Sequence, residues 1–265
     1  MNREDALRFR TFGFLHYRQM LSPRETAALS DAFDLAMARA ERRRPTPSGE
    51  RQQVIPFFDY DRDAFYPLLD DERLVGVFET LLGEDFILTA TEGIIHAGGT
   101  PWHRDACAPE GMCSMRAAIY LDPLGPDDGC LSVVPGSHFT PFREALESAV
   151  EELDLPPEEL PGRHPLVNEP GDVIFMNHKT FHAALGDRPG RRAIHVNTVQ
   201  NAAPDREEHV EWLTGFLARE TEAWGRLYSD RLVATATPRR QRMLARAIDL
   251  GFGTTGRVTH LQDLR

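Results

Sequence analysis

Lysine is almost missing from this sequence: Lys179 is the only one, so arginine supplies nearly all of the 30 basic residues. That skew fits a GC-rich coding sequence and carries no functional signal of its own. Cysteine is scarce as well. Cys107, Cys113 and Cys130 are an odd set with no C-x-x-C spacing, which argues against a disulfide framework or a zinc site and for a reducing compartment. No apolar run approaches the roughly 18 residues of a membrane span. The opening MNREDALRFR lacks the apolar stretch of a secretory signal, and together these features predict a cytoplasmic protein. Positive charge is outweighed by 41 acidic residues, giving a formal charge of −11. Neither nucleic acid nor a membrane is therefore expected as a partner. The chain has 265 residues, 41% hydrophobic and 27% charged, values that suit a globular protein with a real core.

Local patterns divide the chain in three. Ser22-Pro23-Arg24-Glu25 is a capping box with proline at the first helical position, and Leu29, Phe33, Ala36 and Ala40 follow at helical spacing. The run from Arg42 to Gly49 reads as an exposed loop whose arginines form a solvated face. A second helix is predicted over 71–82, with Gly83 as its C-cap. From about 86 to 200 the pattern changes to short strand-like runs separated by Gly, Pro and Asp turns, and Asp128-Gly129 reads as a hairpin signal. An acidic helical insertion at 140–163 interrupts them, and helices return over 204–250. The expectation is one α+β domain with a mainly β core, a sandwich or barrel carrying helices at both ends, an N-terminal helical part at 1–85 included.

The chemistry begins at PWHRDACAPEG, residues 101–111, where a histidine and an aspartate stand two apart. With 10 histidines and 41 acidic residues, about 1.5 such His-x-Asp/Glu pairs arise by chance. Two are present, His103-x-Asp105 and His209-x-Glu211, the second in a stretch read as an exposed helix. On a strand, His103 and Asp105 point to one face and can grip one metal ion. A third ligand must come from elsewhere, and His178 and His182 are the candidates. Their spacing resembles that of zinc proteases, but Lys179 stands where that motif needs glutamate. Two histidines and one carboxylate on an octahedral ion leave three positions open, as in non-haem iron(II) oxygenases. A chelating co-substrate fills two and leaves one for O2. An arginine nine or ten residues after the distal histidine, Arg191 or Arg192, offers a fork for a distal carboxylate such as that of 2-oxoglutarate.

Taken together, the segments FRTFGFLHYRQMLSPRETAAL, TPWHRDA, AIYLDPLGPDDGCLSVVPGSH, PGDVIFMNHKTFHAAL and RRAIHVN resemble the phytanoyl-CoA dioxygenase-like branch of the Fe(II)/2-oxoglutarate oxygenases. The resemblance implies a double-stranded β-helix, the cupin-like jelly roll, and Fe(II) held by His103, Asp105 and His182. It also implies oxidative decarboxylation of 2-oxoglutarate to succinate, coupled to hydroxylation of an unactivated carbon of a small-molecule substrate. The presence of Asp105 speaks against a halogenase, which replaces that carboxylate with a small residue.

Two departures from the family pattern matter. The loop after the distal histidine is short, which makes Arg191 and Arg192 rivals for the 2-oxoglutarate clamp. Strand parity favours Arg191, which shares a face with Ala193, His195 and Asn197, whereas Arg192 shares one with Ile194 and Val196. Ala118 stands where the archetype carries a tryptophan, and Tyr120, on the same face, becomes a candidate co-substrate contact. Arg116, His96 and Asn197 are candidate substrate contacts; Arg104 is read as structural, Trp102 and Phe181 as packing behind the ligands, His138 as a turn anchor and His178 as a loop residue. The three cysteines are read as buried or inert, with oxidation near an iron the alternative for Cys107, two residues after Asp105. The insertion at 140–163 and the loop at 42–58 are candidate lids. Two other classes remain: a cupin-like metal-dependent isomerase or hydrolase, and a non-catalytic jelly-roll module with a structural metal. Neither needs the arginine.

Overall fold

A computed structural model describes residues 1–105, 108–153 and 156–253. The chain begins with α1 (Arg3–Phe12), β1 (Phe14–Tyr17), α2 (Pro23–Arg43), β2 (Gln52–Val54), α3 (Arg62–Phe65) and α4 (Glu72–Leu82). The middle holds β3 (Ile87–His96), β4 (Thr100–His103), β5 (Ser114–Tyr120), β6 (Leu131–Val133), α5 (Thr140–Leu153) and β7 (His164–Pro165). It closes with β8 (Val173–Asn177), β9 (His182–Ala184), β10 (Arg191–Val199), α6 (Glu207–Trp224), α7 (Asp230–Ala234) and α8 (Pro238–Asp249).

Two antiparallel sheets face each other. The larger runs β1-β8-β5-β10-β3-β2 and the smaller β4-β9-β6-β7. From β3 to β10 the chain changes sheet after every strand except between β6 and β7, which is the winding of a double-stranded β-helix. β1 and β2 extend the larger sheet at its two edges.

Alternation along the strands sorts the core into two layers. Ala117, Ile119, Val173, Phe175, Ile194 and Val196 face outward, into a core shared with Phe33 of α2, Phe78 of α4, Leu217 of α6 and Met243 of α8. Ala118, Tyr120, Ile174, Met176 and Ala193 face inward, toward Leu131 and Val133 of the smaller sheet. The helices thus cover one face of the larger sheet and leave the space between the sheets for a site. Behind the smaller sheet, Leu146 and Val150 of α5 pack on Val134, Leu160 and Phe181.

Helix ends follow local chemistry. Ser22 caps α2: its Oγ accepts from the Glu25 amide at 3.3 Å, and the Glu25 carboxylate accepts from the Ser22 amide at 2.7 Å. α4 runs from an Asp71 cap to Gly83 at φ 100°. Three expectations need correction. α1 lies ahead of the capping box and is capped by Asn2; its short amphipathic pattern buries only Ala6 and Phe9. Asp128-Gly129 does not turn a hairpin, because β5 and β6 belong to different sheets, and the turn carries the chain between them. Nor is the segment at 42–58 all loop: β2 pairs with β3, so part of the expected lid is an edge strand. Among the described residues no helix is long and apolar enough to cross a membrane.

Candidate metal centre

The antiparallel pairing of β4 with β9 sets His103 opposite His182. Their rings lie 4.2 Å apart, between centroids. Asp105 follows β4, and its amide donates to the carbonyl of His178 at 3.1 Å, which folds the carboxylate back toward both imidazoles. One ligand atom from each of His103, Asp105 and His182 lies within 4.8 Å of the others. The His182 Nε2 stands 3.7 Å from Asp105 Oδ2, and the His103 Nε2 4.0 Å from Oδ1.

Electrostatics suit a cation here. Burial pushes the His182 imidazole down to about 3, with Asp105 opposing and Arg116 assisting, so it is neutral and keeps a lone pair. Burial alone would raise the Asp105 carboxyl, but Arg116, His178 and His182 outweigh it and hold it well below the usual carboxylate range. Arg116, in the middle of β5, ion-pairs with Asp105 Oδ2 through its Nη2. Two imidazoles and a carboxylate form the donor set of a divalent first-row metal with open positions.

Arg191, at the start of β10, is 1% exposed. Its guanidinium donates to backbone carbonyls: Nε to Arg188 at 2.9 Å, Nη1 to Gly129 at 2.5 Å and Nη2 to Gly98. Among the described residues no carboxylate pairs with it, although burial weighs against the charge. Gly129 is needed here for two reasons: its φ is 82°, and a Cβ would stand 2.6 Å from the Arg191 Cζ. Arg192 turns the other way. It donates to Asp122 at 2.8 Å, and to Ser30 at 2.8 Å and Asp34 at 2.9 Å on α2, outside the space between the sheets. That geometry leaves it no route to a co-substrate on the inner face, so Arg192 is corrected to a structural ion pair.

A cavity of about 170 Å³ opens over the triad, lined by His103, Asp105 and His182 and by Arg116, Tyr120 and His96. Asn197 does not line it: its amide donates to Glu92 at 2.5 Å, one layer deeper. Arg51, Gln53, Glu92 and His195 do line it, and the motifs did not point to Arg51, Gln53 or Glu92. Glu92 could have been found, since it shares strand parity with His96. Arg51 could not, because only the pairing of β2 with β3 brings it there. A larger hollow of about 990 Å³, lined by Arg39, Asp61, Arg231 and Arg240, contains no residue of the triad.

Trp102 and Phe181 stack 5.4 Å apart behind the ligands. Arg104 points outward and pairs with Glu147 of α5 at 2.9 Å. The His138 Nε2 donates to the Arg10 carbonyl at 3.0 Å. His178 occupies a turn, but it is buried at 8% exposure. His209 is buried too, at 5%, with its Nε2 on the Glu110 carbonyl, which corrects its expected exposure. Burial pushes the thiol of Cys113 up to about 12 and that of Cys130 up to about 11, so neither is a reactive thiolate. Cys107 lies outside the described residues.

Several solved structures share the fold. HygX from Streptomyces hygroscopicus, described with nickel and 2-oxoglutarate bound, superposes with a TM-score of 0.59 at 18% identity, covering 76% of this chain and 88% of that one. SnoK, a non-haem α-ketoglutarate-dependent carbocyclase of nogalamycin biosynthesis, gives 0.59 at 19% identity over 76% and 84% of the two chains. EctD from S. alaskensis with 2-oxoglutarate and 5-hydroxyectoine gives 0.59 at 17% over 76% of each. No curated protein sequence gives a match. The sequence profile of the phytanoyl-CoA dioxygenase (PhyH) family matches residues 9–193, well over half of the chain. The chain belongs to the phytanoyl-CoA dioxygenase family.

Proposed function

We propose that the protein is an Fe(II)- and 2-oxoglutarate-dependent dioxygenase that oxidises an unactivated carbon of a small molecule. One observation carries the reading: the inner face of one jelly roll holds both an open two-histidine, one-carboxylate donor set and a buried arginine with no carboxylate partner among the described residues. When bound, iron with 2-oxoglutarate and O2 supplies the oxidising power, giving succinate, CO2 and, for a hydroxylase, the alcohol of the substrate.

The chain's own residues bind and orient. His103, Asp105 and His182 hold the metal through Nε2, a carboxylate oxygen and Nε2. Arg116 fixes the orientation of the Asp105 carboxylate through its ion pair. Arg191 receives the far carboxylate of 2-oxoglutarate; its guanidinium is already held by three carbonyls, so little ordering is needed on binding. Tyr120, 6% exposed, walls the cavity beside it. Hydroxylation is the default outcome. Two similar solved structures are a carbocyclase and an epimerase, and the same donor set would serve such reactions with another substrate.

Anaerobic titration of the metal-free protein with Fe(II) and then 2-oxoglutarate tests the reading. A visible charge-transfer band of a chelated keto acid is expected in the wild type and absent in His182→Ala. No band from protein correctly loaded with iron would reject the oxygenase.

A further inference from the structure

The cavity over the triad has a chemical asymmetry that bears on the substrate itself. Apart from the triad, its wall on the side of the smaller sheet is formed by Thr100, Leu131, Ala183 and Ala184, which carry no charge. The wall on the side of the larger sheet carries Arg51, Gln53, Glu92, Arg116 and His195. A hydrocarbon would leave these polar groups without partners, which is costly in a confined site.

Most polar groups there already have hydrogen-bonding partners. Arg116 pairs with Asp105, and the Glu92 carboxylate accepts from Asn197 at 2.5 Å and from Gln53 at 2.9 Å. Arg51 is different. It stands exposed at the rim, just before β2, and among the described residues it has neither an ion pair nor a side-chain hydrogen bond, although the Glu92 charge favours its own. The ladder of β2 on β3, with Gln53 opposite Ile94, fixes its backbone beside the opening. Arg116 donates to the His195 Nδ1 at 3.5 Å, so the His195 Nε2 carries the proton, and that atom has no partner among the described residues. The His96 Nε2, on the same wall, has none either. On a protein of net charge −11, an unpaired cation at the mouth of a small cavity stands out.

Building on the proposed function, we infer that Arg51 is the anchor for an anionic group, carboxylate or phosphate, of a small polar primary substrate. The fork of the guanidinium matches either group with paired hydrogen bonds. The small volume excludes a bulky acyl chain inside the cavity.

The test uses full-length protein loaded with Ni(II) and saturated with 2-oxoglutarate, so that Arg191 is already occupied. Binding is measured calorimetrically for matched pairs: N-acetylglycine against N-acetylglycinamide, and glycerol 3-phosphate against glycerol. The anionic member of at least one pair should bind ten-fold or more tightly than its neutral partner. Which pair shows it separates carboxylate from phosphate. The preference should vanish in Arg51→Gln and return in part in Arg51→Lys, with thermal melting confirming that both variants fold. Equal binding or no binding by both members of both pairs, or a preference that survives Arg51→Gln, overturns the assignment. If Arg51-dependent anion binding appears while Fe(II) and 2-oxoglutarate give no charge-transfer band, the anion site stands and the oxygenase reading falls.

Discussion

His103 and His182 are register partners across β4 and β9, and each places its Nδ1 2.8 Å from the carbonyl two residues before it, Pro101 and Thr180. The two bonds select the same tautomer. Each Nδ1 carries the proton, and each Nε2 lone pair is left toward Asp105. The backbone therefore prepares both ligands before any metal arrives.

His182→Ala removes the more buried of the two ligands. Its Fe(II) affinity should fall by about 100-fold or more, since even indirect support of a ligand is worth 10–100-fold. Thermal melting with and without metal checks this: metal should raise the midpoint of the wild type and leave that of the variant unchanged.

The two arginines of β10 should separate cleanly. Arg191→Gln should take up Fe(II) normally and lose the charge-transfer band with 2-oxoglutarate. Arg192→Gln should keep the band and lose about 1 kcal/mol of stability, the scale of a partly exposed ion pair, here with Asp34 and Asp122. A band lost only in Arg192→Gln would reverse the assignment.

Gly129 supports Arg191 from below. In Gly129→Ala the new methyl would meet the guanidinium carbon at 2.6 Å from a backbone at φ 82°. A loss of about 2 kcal/mol is expected from the strained conformation and the displaced side chain. Affinity for 2-oxoglutarate should fall with it, while metal uptake stays. Urea denaturation and isothermal titration would report the two effects separately.

These expectations rest on features of unequal visibility in the sequence. A β-sandwich or barrel could be read from short strand-like runs between turns, because a strand with one face under helices and the other on an inner cavity writes both faces into its residues; the jelly-roll winding followed only from the family resemblance. Parity along β10 likewise favours Arg191 over Arg192 from the sequence alone. Pairing between distant segments could not be read. Arg51 and Glu92 line one cavity only because β2 adds to the edge of β3, and Gln53 reaches Glu92 across that ladder. The Asp128-Gly129 turn misled for the same reason: its local chemistry shows a reversal, not which sheet receives the next strand. His209 was misplaced because its partner, the Glu110 carbonyl, lies 99 positions away.

Acid should weaken the fold through His96. Burial, with Arg191, Arg51 and Arg116, pushes this imidazole from 6.5 down to about 3. The unfolded chain takes up a proton near pH 6.5, and the folded chain takes none until about pH 3. Between those values the unfolded state binds more protons, so stability falls as pH drops, by up to about 1.4 kcal/mol per pH unit. Above pH 6.5 this group adds no slope. His96→Gln removes the titration, so between pH 7 and pH 5 the variant should lose about 2 kcal/mol less than the wild type in urea melts.

The segment at 140–163 is tied down near the ligands. The Trp102 indole donates to the Pro157 carbonyl at 2.8 Å, and Arg104, between the two motif ligands, pairs with Glu147 at 2.9 Å. If this segment closes over the site, Trp102→Ala should speed its limited proteolysis severalfold, and iron with 2-oxoglutarate should slow cleavage in the wild type. Equal cleavage rates in all four conditions would reject a lid.

The division of labour between the sheets has a last consequence. His103 and His182 belong to the four-stranded sheet, whose strands are at most four residues long, while the nine- and ten-residue strands β10 and β3 sit under the helices. Short ladders open more readily than long ones. Amide hydrogen exchange should therefore be lopsided in the metal-free protein, fast in β4 and β9 and slow in β3 and β10. Metal would act as a clasp on the looser half, and its arrival should be recorded there as slowed exchange while the helix-backed half hardly changes.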